Sequence, residues 1–300
     1  MACPESFASM PKVPEGEPAA VPAPADREDA AGAGGTAVRV AFDGKARDWG
    51  RKGALVQVEG NDSPLDDLLP TFLPPMATVV DLGGGSGRML IKVAGICTGG
   101  TLMLVDLSRR MAEVAHAELL RLGQLTKVVV VVGDARRVPL PPDGADIVVI
   151  RQLLQHVLVE PNAVIREAAR MLRPGGVVLV QVPGPRYLAA WFRFAGHDTD
   201  ALGRFSIEEL EGLFLQAGLR PAVLTFPFTF RFDNAWKMMR FFERISLVDK
   251  LSDYEPVTSE GLDRVLSHPL VSIPLARTPG IDVAGEYLVG IARKEASWAS

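Results

Sequence analysis

The sequence predicts an α/β fold: a mostly parallel sheet with helices on both faces. Two observations carry this. From Ala77 onward, short apolar runs alternate with stretches of helical spacing, the order produced when each strand is followed by a crossover helix. The stretch Val79 to Leu90 then reads VVDLGGGSGRML, an apolar run, an acid and four glycines within five residues. A glycine-rich turn at the carboxyl end of a strand is where such a sheet admits a nucleotide.

Each element follows in order. Thr78 to Leu82 reads as the first strand and Arg88 to Cys97 as the first helix. Thr101 to Val105 is a second strand closed by Asp106, and Ser108 is placed to cap a helix whose Met111, Val114, Ala115 and Leu119 recur at helical spacing. Lys127 to Val132 is a third strand ending at Gly133-Asp134. Ala145 to Ile150 is a fourth, uniformly apolar as a buried central strand should be. Pro161 to Leu172 is a helix, which Pro174-Gly175-Gly176 ends before a fifth strand, Val177 to Val182. Ser206 and Glu209 form a capping box for a helix that stops at Gly218. In Val223 to Phe232, strict alternation puts Phe226, Phe228, Phe230 and Phe232 on one face, and Pro227 assigns the strand to a sheet edge. Glu286 to Arg293 is the last strand. The interval Asn234 to Gly285 is too long for a hairpin turn and reads as a helical insertion, a lid or oligomerisation element.

Composition narrows the function classes. Residues 1–38 are rich in Ala, Pro, Gly and Glu with almost no large apolar side chains, so a disordered tail is expected there. That segment has neither a secretory pattern nor the basic character of a transit peptide. No apolar run approaches the length of a membrane span, so a soluble, cytoplasmic protein without a membrane partner is expected. The net charge of −4, without a basic cluster, argues against nucleic acid as a partner. Cys3 and Cys97 lie far apart and give neither a disulfide framework nor a metal cluster.

The glycine loop itself has three candidate tenants. A dinucleotide loop needs G-x-G-x-x-G, but the third glycine position is Arg88 counted from Gly83 and Leu90 counted from Gly85. A phosphate-cradling loop needs Gly-Lys-Ser/Thr, which is absent. A phosphate-free adenosine is left. Acids close the next strands as well, Asp106 after the second and Asp134, in Gly133-Asp134-Ala135, after the third. An acid in the position of Asp106 can accept hydrogen bonds from ribose hydroxyls, and it can equally help cap the helix beside Ser108.

With these motifs in order, the chain from about Phe42 to Lys294 resembles the class I S-adenosylmethionine-dependent methyltransferases, in particular their quinone-biosynthesis-like, small-molecule branch. The resemblance implies a Rossmann-like, seven-stranded mixed sheet of order 3-2-1-4-5-7-6 and S-adenosyl-L-methionine as cofactor. It implies a domain over 39–295 with N-terminal cap helices in 39–76, insertions at 183–205 and 233–285, and a short tail at 296–300. The larger insertion would serve as a lid or as the contact of a homodimer. Asp81 is implied to face the methionyl ammonium above Gly83, Gly84, Gly85 and Gly87. Asp106 with Leu107 would hold the ribose, and Asp134 with Ala135 the adenine. Phe42-Asp43-x-x-Ala46-x-x-Trp49 resembles the helix that closes over the cofactor in that branch.

The stretch Ile150-Arg151-Gln152-Leu153-Leu154-Gln155-His156 follows the fourth strand and should border the reacting methyl. Arg151 is a candidate for a carboxylate, the cofactor's or the acceptor's. His156 is a candidate base, with a structural histidine on the following helix as the equal alternative. His197, in His197-Asp198-x-Asp200, is a second candidate base; no metal site is expected from that turn. Aromatic side chains between Tyr187 and Phe242, among them Trp191, Phe192, Phe194 and Trp236, can line an apolar acceptor pocket or simply form core. The Asn/Asp-Pro-Pro-aromatic motif of nucleic-acid and glutamine methylation is absent, and Val157, not Asp, follows His156. A small-molecule acceptor is expected, methylated at oxygen or carbon and aromatic, quinone-like or polyketide-like. Protein methylation and a non-catalytic binding module stay open as alternatives.

Overall fold

A computed structural model of the chain describes residues 43, 63–97, 99–124, 128–156, 160–187, 203–239 and 269–295. Seven strands form one sheet: β1 (Val79–Leu82), β2 (Leu102–Asp106), β3 (Val128–Val132), β4 (Ala145–Arg151), β5 (Leu172–Pro183), β6 (Leu219–Phe232) and β7 (Ile281–Lys294). Their spatial order is 3-2-1-4-5-7-6, as the resemblance implied. The first five strands are parallel, and β7 enters antiparallel between β5 and β6. Among the described residues, the helices that accompany them include α1 (Pro64–Phe72), α2 (Arg88–Ile96), α3 (Arg109–Arg121), α4 (Pro161–Met171), α5 (Ile207–Gln216) and α6 (Pro269–Ala276).

The central strands are apolar apart from Asp81 in β1 and Asp146 and Arg151 in β4, and alternate residues feed two cores, one on each face. Val80, Leu82, Val148, Ile150 and Val180 pack with Val164, Ala168 and Phe214 from α4 and α5. Val79, Leu104, Ile147, Val149 and Leu179 pack on the opposite face with Leu65, Leu90, Val93 and Ala115 from α1, α2 and α3. Both helix caps read from sequence are present. The Ser108 Oγ accepts from Met111 N at 3.1 Å, and Ser206 and Glu209 cap α5 reciprocally at 3.1 and 2.7 Å.

β6 starts at Leu219, ahead of the expected Val223, and three further differences have a structural cause. Thr78 is outside β1: its carbonyl accepts from Asp146 N and Ile147 N of β4, but its N–H bonds the Asp146 carboxylate at 2.7 Å and not a backbone carbonyl. The Pro174-Gly175-Gly176 turn does not precede β5 but interrupts it: Leu172 already pairs with Ala145, and the ladder resumes at Ile147 opposite Val177. Gly175, at φ 82°, provides the left-handed residue this bulge needs. The last strand starts at Ile281, so residues 281–285 belong to β7 and the insertion shortens to 233–280.

This third difference shapes the ligand edge of the sheet. The β5–β7 ladder ends at the pair Pro183–Tyr287, whereas β6 and β7 stay paired out to Phe232–Ile281. A two-stranded ribbon therefore overhangs the carboxyl ends of the parallel strands. Pro227 sits in it on the outer strand, where a missing N–H costs no ladder bond. Among the described residues, no helix is long and apolar enough to cross a membrane.

Candidate functional site

Because β1 to β5 run in one direction, their last residues bring Asp81, Asp106, Asp134 and Arg151 to a single edge of the sheet. The chain switches direction between β1 and β4, which opens the crevice there.

Asp81 is only 1 % exposed, and its Oδ2 has no hydrogen-bond partner. Burial pushes its pKa up to about 7; the Arg151 charge opposes this and the Asp106 charge adds to it. An unpaired buried carboxyl is costly, and a cation brought alongside would lower that cost. The turn above it is made for close approach. Gly83, Gly85 and Gly87 take φ of 67°, 54° and 80°. A Cβ on Gly84 would lie 2.7 Å from Leu104 and 2.9 Å from Asp81 Oδ2, whereas one on Gly85 would meet nothing within 4 Å. The loop is thus packed tightly below and open above.

Asp106 fastens this loop. Its Oδ2 accepts from Gly85 N and its Oδ1 from Ser108 N, both at 2.8 Å. Burial raises its pKa, the two N–H donors pull it down, and the Asp43 charge raises it further. Asp106 therefore has the local role beside Ser108 that its sequence position allowed. A carboxylate still has lone pairs to offer beyond two such bonds. Asp43 Oδ1 in turn accepts from Ser108 Oγ at 2.6 Å and Arg110 N at 3.3 Å. That contact, between residues 65 apart, gave no signal in the sequence beyond the motif around Asp43. Leu107 is half-buried beside it.

Asp134 bonds Arg136, accepting from its backbone N at 2.8 Å and its Nη2 at 2.6 Å. Arg136 was not singled out in the sequence, since nothing distinguishes it from Arg137 there. Ala135 packs against the core.

Beyond β4 the structure puts His156 in a turn, its N–H bonded to Leu153 O, and not on a helix. Its Nε2 lies 3.1 Å from the carbonyl of Gln152. A carbonyl only accepts, so Nε2 carries the proton there, and a base role would fall to Nδ1. Leu153 packs over Gly83, where an added Cβ would lie 2.8 Å from its Cδ1. Gln152 and Gln155, passed over in the sequence, bond each other at 2.9 Å.

Tyr187, from the turn after β5, meets Phe228 and Tyr287 of the β6–β7 pair in edge-on and tilted contacts with centroids 4.7 to 5.8 Å apart, and Phe230 joins at 5.0 Å from Phe228. Gly285 lies under the Phe228 ring, where a Cβ would come within 2.4 Å. Burial and the neighbouring Tyr287 hydroxyl push the Tyr187 phenol well above its ordinary range. Glu286, buried, accepts from Arg186 N, Nε and Nη2 at 2.9, 2.9 and 2.7 Å and ties the turn after β5 to β7. His197, Trp191, Phe192, Phe194, Ala46 and Trp49 lie outside the described residues.

Comparisons with known proteins agree with this architecture. Residues 80–180 match the family model described as a methyltransferase domain. Over 107 residues the chain is 35% identical to the ubiquinone/menaquinone biosynthesis C-methyltransferase of Ectopseudomonas mendocina, a match covering 35% of this chain and 41% of that protein. The corresponding enzyme of Pectobacterium carotovorum is 32% identical over 103 residues, covering 34% and 41%. The chain thus spans well under half the length of these curated relatives. Among solved structures, the [4+2]-cyclase SpnF superposes with a TM-score of 0.58 at 20% identity, covering 87% of this chain and 96% of that one. Phosphoethanolamine N-methyltransferase 2 of Haemonchus contortus, solved with S-adenosyl-L-methionine, gives 0.54 at 17% identity, covering 85% and 57%. These structures show the fold alone, and their different activities show that the fold does not fix the reaction. Residues 80–180 are thus similar to a methyltransferase domain, and the chain has the Rossmann-like, seven-stranded fold of these solved structures.

Proposed function

We propose that this chain transfers a methyl group from S-adenosyl-L-methionine to oxygen or carbon of a small aromatic, quinone-like or polyketide-like acceptor. The observation that carries the reading is the buried, unpartnered Asp81 carboxyl beneath an open glycine turn, with acids closing the next two strands. These residues fit the cofactor. Asp81 offers an anion for the methionyl ammonium, and Gly83, Gly84 and Gly85 give it room. Asp106 offers its remaining lone pairs to ribose hydroxyls beside Leu107, and Asp134 and Ala135 offer an acceptor and a backbone N–H to the adenine edge. Arg151 is available for the carboxylate.

When bound, the cofactor supplies a methyl on a positively charged sulfur, so the reaction asks the protein mainly for alignment and dryness. The apolar ends of β4 and β5 and the ring cluster of Tyr187, Phe228 and Tyr287 provide dry surroundings on the acceptor side. His156, acting through Nδ1, would take the proton of a weakly acidic hydroxyl, and His197 is the second candidate for that task. A lid or homodimer role for the insertion belongs to the same proposal.

The test has two arms. Calorimetry with S-adenosylhomocysteine, the demethylated product, should show binding by the wild-type chain. Incubation of a cell extract with the chain and radioactive cofactor should then place label in small metabolites. Label confined to protein bands would move the acceptor class to protein. Binding without any transfer would leave a non-catalytic module.

A further inference from the structure

The turn after β4 contains a feature that cofactor binding does not account for. Of the described non-glycine residues, two have a positive φ, Asp143 at 60° and Gln152 at 53°. Aspartate tolerates the left-handed region well, whereas glutamine gains nothing there. A strained residue of that kind persists where its surroundings over-determine it, and such residues cluster at functional sites. Gln152 N donates to Gln181 O at 2.9 Å, holding the turn to β5. From the other side, Gly203 comes so close to Gln155 that an added Cβ would lie 2.1 Å from its carbonyl oxygen.

The strain presents a matched pair of polar groups. Gln155 Nε2 donates to Gln152 Oε1 at 2.9 Å. This leaves Gln152 Nε2 and Gln155 Oε1, both buried and both without a partner. If both amides are turned over together, the pairing survives and again leaves one donor and one acceptor. The dyad therefore always leaves one N–H and one oxygen unpaired at the carboxyl end of β4. A carboxylate or ketone would satisfy only the donor, and an ammonium only the acceptor. A hydroxyl satisfies both, since it donates one proton and accepts on its lone pairs.

We propose that Gln152 and Gln155 form the subsite that holds a phenolic or enolic hydroxyl of the methyl acceptor. This rests on the methyltransferase reading above and names the acceptor's chemical class. The position agrees. The nucleotide acids occupy β1 to β3, while the aromatic cluster stands on β7 and β6, about two strand spacings, or ~10 Å, beyond β4. A ring bound between them would have its hydroxyl on the glutamines and its face on Tyr287 and Phe228.

The test uses the full chain saturated with S-adenosylhomocysteine and two probes, methylhydroquinone and its dimethyl ether, with binding followed by ligand-observed NMR. The wild-type chain should prefer the hydroquinone by about ten-fold, the worth of one to two well-placed hydrogen bonds. Two variants are compared. Gln152→Asn keeps a residue at ease in the left-handed region but withdraws the amide by one methylene. Gln155→Met keeps the volume and removes the oxygen. Both should bring the preference to within about two-fold of unity and leave homocysteine-product affinity near the wild-type value. A preference that survives in both variants overturns the assignment, as does its absence from the wild-type chain. A large loss of S-adenosylhomocysteine affinity in both, with the preference intact, would place the dyad on the cofactor instead. Failure of the wild-type chain to bind S-adenosylhomocysteine at all would bring down the underlying reading, and that result needs no variant.

Discussion

The two halves of the ligand edge are built on different principles. On β1 to β3, an acid stands at or near the end of each strand and is fixed by its own and adjoining loops: Asp81, its Oδ2 unpaired, under its glycines, Asp106 on Gly85 and Ser108, Asp134 on Arg136. On β5 to β7, the edge is a ribbon of packed rings, held by contacts between residues about a hundred positions apart, such as Arg186 with Glu286. The first half is polar and locally wired. The second is apolar and assembled only by the fold. A site divided in this way can hold one constant ligand by short-range geometry while the other half varies freely in its acceptor.

Substitutions that damage one half and spare the other sharpen that division. The largest effect is expected at Asp81. Asp81→Asn keeps the shape and removes the charge that we propose meets the ammonium, so S-adenosylhomocysteine should bind at least about thirty-fold more weakly, some 2 kcal/mol or more. Its folded stability should not fall, because a buried unpaired carboxyl is removed. Asp106→Ala comes next. It frees the Gly85 and Ser108 N–H groups and removes the ribose acceptor, and calorimetry should show about ten-fold weaker binding. Unchanged affinity would sink the ribose assignment.

Gly285→Ala acts on the other half. The new Cβ displaces the Phe228 ring, so methyl transfer to the acceptor should fall several-fold while S-adenosylhomocysteine affinity stays put. Equal losses in both measurements would break the two-half description. The smallest effect belongs to Arg186→Met, because the Arg186 side chain is 76% exposed and solvent screens its charge. A melting temperature lower by a few degrees is expected, from leaving the buried Glu286 carboxylate without its partner. Cofactor affinity should not change.

The same division explains what could be read in the sequence. The parallel core and the three acids were legible because each rests on a short pattern, such as an apolar run, a glycine turn or a capping serine; the strand order came only with the family resemblance that those patterns carry. Phe226, Phe228, Phe230 and Phe232 were also legible as one face, since alternation alone places them. What could not be read is long-range. Nothing in the chain near Gly285 announces that Phe228 covers it, and nothing near Asp43 announces Ser108. The start of β7 at Ile281 was missed because residues 281–285 include a charge and a glycine, and only the ladder to β6 makes them a strand. Gln152 and Gln155 look like ordinary loop residues until their backbone strain and unpaired amides are seen together.

Asp81 gives the central claim its most direct measurement. Its carboxyl, raised to about 7 by burial, is largely protonated at pH 6 in the free protein. A bound ammonium favours the ionised form, so binding must expel the proton. Affinity should therefore climb as pH rises toward 7 and level off above it. The folded-state shift has the opposite sign for stability. That contribution is fully present below the unfolded pKa and is lost as pH rises through about 7. Calorimetric titration with S-adenosylhomocysteine at pH 6, in buffers of different ionisation enthalpy, counts the protons released. The account predicts release of about one proton at pH 6, little at pH 8.5, and none at either pH for Asp81→Asn. Binding without proton release at pH 6 in the wild-type chain would contradict it.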